Sequence, residues 1–184
     1  MPTLTLYPNA DVSVDMSQYG SGTGNYGRIN ETTQDDTNGV GTASTSGQVD
    51  LYGLPDPSQD GTINSVTVHF RSKWDYTGTL INQSYATPQV RIGGTTYSAT
   101  AQALGNTFQG YSRSWSTNPN TESAWTWQNI NDLIVGLRMN AGTYGDDKNP
   151  TIGAAYCSRL YVVVDYTESD ANKLPAHLFF QGVR

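Results

Sequence analysis

The chain has 184 residues and a formal charge of −6, from 10 Lys and Arg against 16 Asp and Glu. Charged residues make up 14% of it, well below the roughly 25% of an average soluble protein, and polarity comes instead from 23 Thr, 19 Gly and 12 Tyr. This excludes a coiled coil, and the acidic balance argues against a nucleic-acid partner held by phosphate contacts. A single cysteine excludes an internal disulfide framework and the multi-cysteine zinc sites. No run approaches the ~20 apolar residues of a membrane span. The opening Met1 to Pro8 has neither the basic nor the apolar segment of a secretory leader. No membrane partner is expected.

Alternation with period two recurs along the chain. Residues 3–7, 11–16, 26–32 and 48–52 read as strands, separated by polar Gly/Thr/Ser loops at 20–24 and 35–47. After the Asp60-Gly61 turn, Val66, Val68 and Phe70 face one side, and Ser65, Thr67, His69 and Arg71 the other. Further strands are expected over 89–92, 95–100 and 108–115, with turns at Gly93-Gly94, Gly105-Asn106 and Asn118-Pro119-Asn120. Thr126 is placed to cap a short helix running to Leu133, with Ile130 and Leu133 closing one end of the core. A strand over 133–139, a turn at Asn149-Pro150 and a closing strand over 160–166 follow. That last strand is apolar on both faces, which predicts a central strand covered on both sides.

About ten short strands with turns between them predict an all-β, jelly-roll-like antiparallel β-sandwich with one short helix and a C-terminal extension. The absence of long amphipathic patterns removes βαβ units. The domain is placed at 1–166, with a tail at 167–184. Leu174, Leu178, Phe179 and Phe180 make that tail apolar, so it either folds back or docks onto a neighbouring copy. The intersubunit contact is assigned to these four residues together with Leu4, Leu6 and Tyr7. The segment 178–182 also resembles a protease-cleavage linker.

Candidate chemistry is sparse. There is no Gly-x-Ser-x-Gly elbow, and the only histidines, His69 and His177, read as solvent-facing. The acids fall mostly in loops, where Asp makes turns, and only Glu31, Glu122 and Glu168 are glutamates. No enzyme, no catalytic residue and no cofactor is therefore expected. Asp35, Asp36, Asp146 and Asp147 are loop acids suited to Ca²⁺, with plain solvation as the competing account. Cys157 reads as a small buried strand residue. The aromatics are either core or a sugar-stacking surface, and Trp125, Trp127 and Tyr144 are the candidate glycan contacts.

The segments Leu6-Tyr7-Pro8-Asn9-Ala10-Asp11, Ile63 to Val68, Trp115 to Pro119, Ala124 to Leu133 with Val135-Gly136, and Leu160 to Tyr166 carry a resemblance. Over residues 4–166 the chain resembles phage virion-type jelly-roll structural proteins: head decoration, fibres and tail appendages. In overall plan it is also similar to carbohydrate-binding modules. The resemblance implies a capsid-decorating or appendage subunit on the virion surface, partnered by its own copies and by a major capsid or tail protein. It supplies no catalytic residue. The alternative is an extracellular carbohydrate-binding module with a glycan as its partner.

Overall fold

The structure, a computed structural model, describes residues 1–169. The chain runs through β1 (Thr3–Leu6), β2 (Ala10–Ser13), β3 (Ser17–Tyr19), a 3-10 turn (Tyr26–Arg28), β4 (Gly39–Thr42), β5 (Gln48–Gly53) and β6 (Thr62–Trp74). It continues through β7 (Leu80–Asn82), β8 (Tyr85–Ile92), β9 (Thr95–Ser98), β10 (Gln102–Ala103), β11 (Gln109–Trp115) and α1 (Trp127–Asn131). The last strands are β12 (Ile134–Asn140), β13 (Thr143–Asp146), β14 (Asn149–Ile152) and β15 (Ala155–Thr167).

One sheet has the order β11-β6-β15-β4-β3, with β1 also paired to β15; the other is β10-β8-β12-β5-β2, with β9 on β8. A small third sheet has the order β14-β13-β7. Every strand pair is antiparallel. The fold is an all-β antiparallel sandwich with one short helix, jelly-roll-like, as the alternation predicts.

The backbone of the first sheet is the pairing of β6 with β15, which sets Phe70 opposite Leu160, Val68 opposite Val162 and Val66 opposite Val164. These six side chains are fully buried, and from the second sheet Val90, Val135, Leu137 and Met139 meet them. Each such burial contributes about 1.5–3 kcal/mol. The closing strand is central, but no further layer covers its outer face: Tyr161 and Val163 are half-exposed there. That open face is where the site lies.

Local departures from the pattern have local causes. Residues 26–32 form a turn, not a strand, because Asp11 accepts the backbone N–H of Asn25 at 3.0 Å and of Tyr26 at 2.7 Å. The buried Arg28 then gathers the preceding loop, donating to the carbonyls of Tyr19 (3.0 Å), Gly20 (2.6 Å) and Gly22 (3.0 Å) and to Gln18 Oε1 (3.1 Å). Part of the expected 35–47 loop is strand β4, whose glycines allow a close approach: a Cβ on Gly41 would stand 2.7 Å from the Tyr156 ring. Asn149-Pro150 opens β14, an edge strand of the third sheet, where a missing N–H is tolerated.

The helix starts where it should. Thr126 Oγ1 accepts the Asn129 N–H at 3.2 Å and Asn129 Oδ1 accepts the Thr126 N–H at 3.0 Å, a reciprocal cap. Ile130 and Leu133 are buried behind it. Under the second sheet, the fully buried Asp50 carboxylate accepts the N–H groups of Asp15 and Met16, the Asn25 amide and the Tyr52 hydroxyl, all between 2.7 and 2.9 Å. Its charge is thus satisfied on four sides, and it ties the β2–β3 connection to β5.

Candidate functional site

On the outer face of the first sheet, register brings together residues far apart in the chain. His69 of β6 lies opposite Tyr161 of β15, and Arg71 lies opposite Arg159. A bulge between Cys157 and Arg159 precedes this stretch and leaves Arg159 and Tyr161 outward, Leu160 inward. The His69 and Tyr161 rings stack at 4.7 Å with 5° between their planes. Tyr7, just past β1, leans on the other flank of Tyr161 at 5.6 Å, so three rings stand abreast across adjacent strands.

The next strand along is low. In β11, Ser112 faces His69 and Gly110 faces Arg71. Two small residues beside two large ones leave a cleft of about 280 Å³, with Gln34 and Arg159 on its rim. A Cβ placed on Gly110 would meet no atom within 4 Å, so the space above it is open.

The guanidiniums are held differently. Arg71 forms a bidentate pair with Asp36, Nε to Oδ1 at 2.8 Å and Nη2 to Oδ2 at 2.7 Å, and Ser158 also donates to Asp36 at 2.8 Å. The Arg71 hydrogen bonds hold the Asp36 carboxyl below its ordinary range. Arg159 donates to the carbonyls of Glu31 (2.8 Å) and Thr32 (2.7 Å) and to the Tyr7 hydroxyl (3.2 Å), and lies over the Tyr161 ring at 4.7 Å. Burial first, and the Arg159 charge second, lower the affinity of the His69 imidazole for a proton, so it is neutral near pH 7. The cleft lining includes no Asp or Glu. Such a surface offers aromatic rings and N–H donors.

The residues anticipated from the sequence lie elsewhere. Trp125 is core, 4% exposed, its indole N–H donating to the Trp115 carbonyl at 3.1 Å. Trp127 donates to the Gly61 carbonyl at 2.9 Å and meets Tyr166 edge-on at 5.2 Å. Tyr144 packs against the core beside Tyr76. Trp127 and Tyr144 remain half-exposed. Among the proposed intersubunit residues, Leu6 is 4% exposed within its own core, Leu4 packs against that core, and Tyr7 belongs to the ring row. Leu174, Leu178, Phe179 and Phe180 lie outside the described residues, as does His177.

Three of the four acids expected for Ca²⁺ have other partners. Asp36 is paired with Arg71. Asp35 accepts from the backbone and hydroxyl of Thr37 and from Asn38, and Asp146 accepts the Lys148 N–H in a hairpin turn with Asp147 exposed. Among the described residues no group of three or more His, Cys, Asp or Glu is placed to hold a metal ion. No helix of the described residues is long and apolar enough to cross a membrane.

No protein-family model and no curated protein matches the sequence. Among solved structures, the chain is similar to the C-terminal family 6 carbohydrate-binding module of a marine laminarinase from Zobellia galactanivorans. The identity there is 10% over 89% of this chain and 100% of that one, with a TM-score of 0.45. It is similar also to a family 35 module from Cellvibrio japonicus (12%; 90% and 95% covered; TM-score 0.39). A third is the family 11 module from Clostridium thermocellum in complex with a β-1,3-1,4-mixed-linked tetrasaccharide (12%; 91% and 90% covered; TM-score 0.41). These structures are carbohydrate-binding modules, not virion proteins. They correct the expectation of a phage decoration or appendage subunit, and with it the expected capsid, tail and self-assembly partners and the virion surface as location.

Proposed function

We propose that this chain is a non-enzymatic, extracellular glycan-binding module whose binding face is the outer surface of the first sheet. The observation that carries this reading is the open cleft over Gly110 and Ser112, walled by the stacked His69 and Tyr161 rings and rimmed by Arg71, Arg159 and Gln34. Aromatic faces meet the C–H face of a sugar ring, while guanidinium and amide donors meet its hydroxyls. At about 280 Å³ the cleft stands at the small end of ligand pockets, which run from roughly 300 to 1,000 Å³. It suits one ring, with neighbouring sugars lying along the sheet. At TM-scores of 0.45 and below, the likeness to carbohydrate-binding modules adds no weight; the cleft does.

A glycan array probed with the wild type, Gly110→Leu and His69→Ala tests this. Glycan binding that Gly110→Leu abolishes at unchanged melting temperature is the expected result, because the added side chain fills only open space. An array without a ligand, or one bound equally by Gly110→Leu, overturns the assignment.

A further inference from the structure

We propose that the cleft is selective for an acidic sugar residue, one bearing a carboxylate or a sulfate ester, and that Arg159 is the residue that selects it. This rests on the glycan-binding reading above and narrows its ligand class.

The first observation is a pairing that costs stability by itself. Arg71 and Arg159 occupy directly opposed positions on adjacent strands of one face, where like charges repel. Asp36 neutralises Arg71. Among the described residues Arg159 forms no ion pair. Its partners, two carbonyls and a phenol, orient the guanidinium without cancelling its charge. One positive charge is therefore left beside a cleft lined by no carboxylate, on a protein whose net charge is −6. An anion placed between the two guanidiniums relieves the opposition.

The second observation is readiness. Arg159 engages Nε and Nη2, and Arg71 engages Nε and Nη2, so in both the Nη1 donors have no partner among the described residues. An Nη1 N–H of either guanidinium can donate a charge-assisted hydrogen bond to an oxygen of a carboxylate or sulfate. The Arg159 guanidinium is already held in place by the Glu31 and Thr32 carbonyls and by the Tyr161 ring beneath it. Little side-chain freedom is lost on binding. His69, stacked on Tyr161 by one face, lines the cleft next to this charge and offers its other face to the sugar ring itself.

Titration calorimetry on the full chain separates charge from sugar. The probes are oligomers of galacturonate, glucuronate and mannuronate with their methyl esters, and sulfated galactan oligosaccharides with their desulfated forms. At least one acidic member should bind about tenfold more tightly than its neutral counterpart, and added salt should erase the advantage. Arg159→Gln should erase it too, Arg159→Lys should restore part of it, and Gly110→Leu should remove binding of both forms. The carboxylated and sulfated arms identify which anion is taken. Equal affinity for acidic and neutral members, or neutral binding alone, overturns the charge selection and leaves a glycan-binding module. A correctly melting protein that binds no member of either series, nor any glycan on the array, overturns both. Acidic binding unchanged in Arg159→Gln overturns the role of that residue.

Discussion

Cys157 sits where β15 bulges, completely buried, and burial pushes its thiol up to about 11. A buried, protonated thiol is a poor nucleophile. An aromatic disulfide reagent should therefore leave the native protein unmodified and titrate one thiol in denaturant; rapid reaction of the native protein would show that β15 opens locally. His69 gives a pH signature instead. Facing it are Tyr161 and Arg159 from β15 and uncharged Ser112 from β11, with Arg71 on its own strand already neutralised by Asp36. Its proton affinity is lowered on folding, so the unfolded chain takes up the proton first. Stability from this residue is fully present above the ordinary histidine range and is lost as pH falls through that range. A bound anion opposes this by favouring the charged ring. Affinity for an acidic ligand should accordingly rise as pH falls below the ordinary histidine range, and His69→Gln should flatten the profile in calorimetry.

Among the elements, some were legible and others were not, for identifiable reasons. β6 announces itself by alternation and the second half of β15 by its apolar run, and the Thr126 cap marks the start of α1. Thr126→Ala should lower stability by about 1 kcal/mol in urea unfolding. β4 was hidden because glycine signals loops. Here Gly39 and Gly41 are chosen for what lies across from them, the Cys157 carbonyl and the Tyr156 ring, which are more than a hundred residues away. The turn at Tyr26–Arg28 was hidden because carboxylate and guanidinium bonds outweigh the strand propensity of the local sequence. The cleft follows the same logic. That His69 and Arg71 point outward is readable from β6 alone, but their meeting with Tyr161 and Arg159 depends on register and on a bulge that no spacing reveals. An indole buried with its N–H on a carbonyl, as in Trp125, has the same sequence signature as one presented to a sugar.

At the scale of the molecule, the exposed large apolar side chains of the described residues are Met1, Val12, Val14, Leu80, Tyr85 and Ile152. They are distributed over β2, β7, β8, β14 and the amino end and do not pave one face. With Leu6 occupied in its own core, light scattering should report a monomer near 20.0 kDa; a concentration-independent larger mass would contradict the reading of the amino-terminal strand. The sandwich depends instead on internal polar hubs. Asp50→Ala, which strands four donors beneath the second sheet, should destabilise the fold by on the order of 3 kcal/mol. Arg28 is the other hub, three carbonyls and an amide oxygen converging on one guanidinium. Hard cations seek oxygen sets of that kind, but here the positive charge is covalently part of the chain. It cannot be stripped by a chelator or lost on dilution, so EDTA should leave the melting curve where it was. The loop beside β3 should stay in shape in waters too poor in calcium to sustain a protein that borrows its cation from solution.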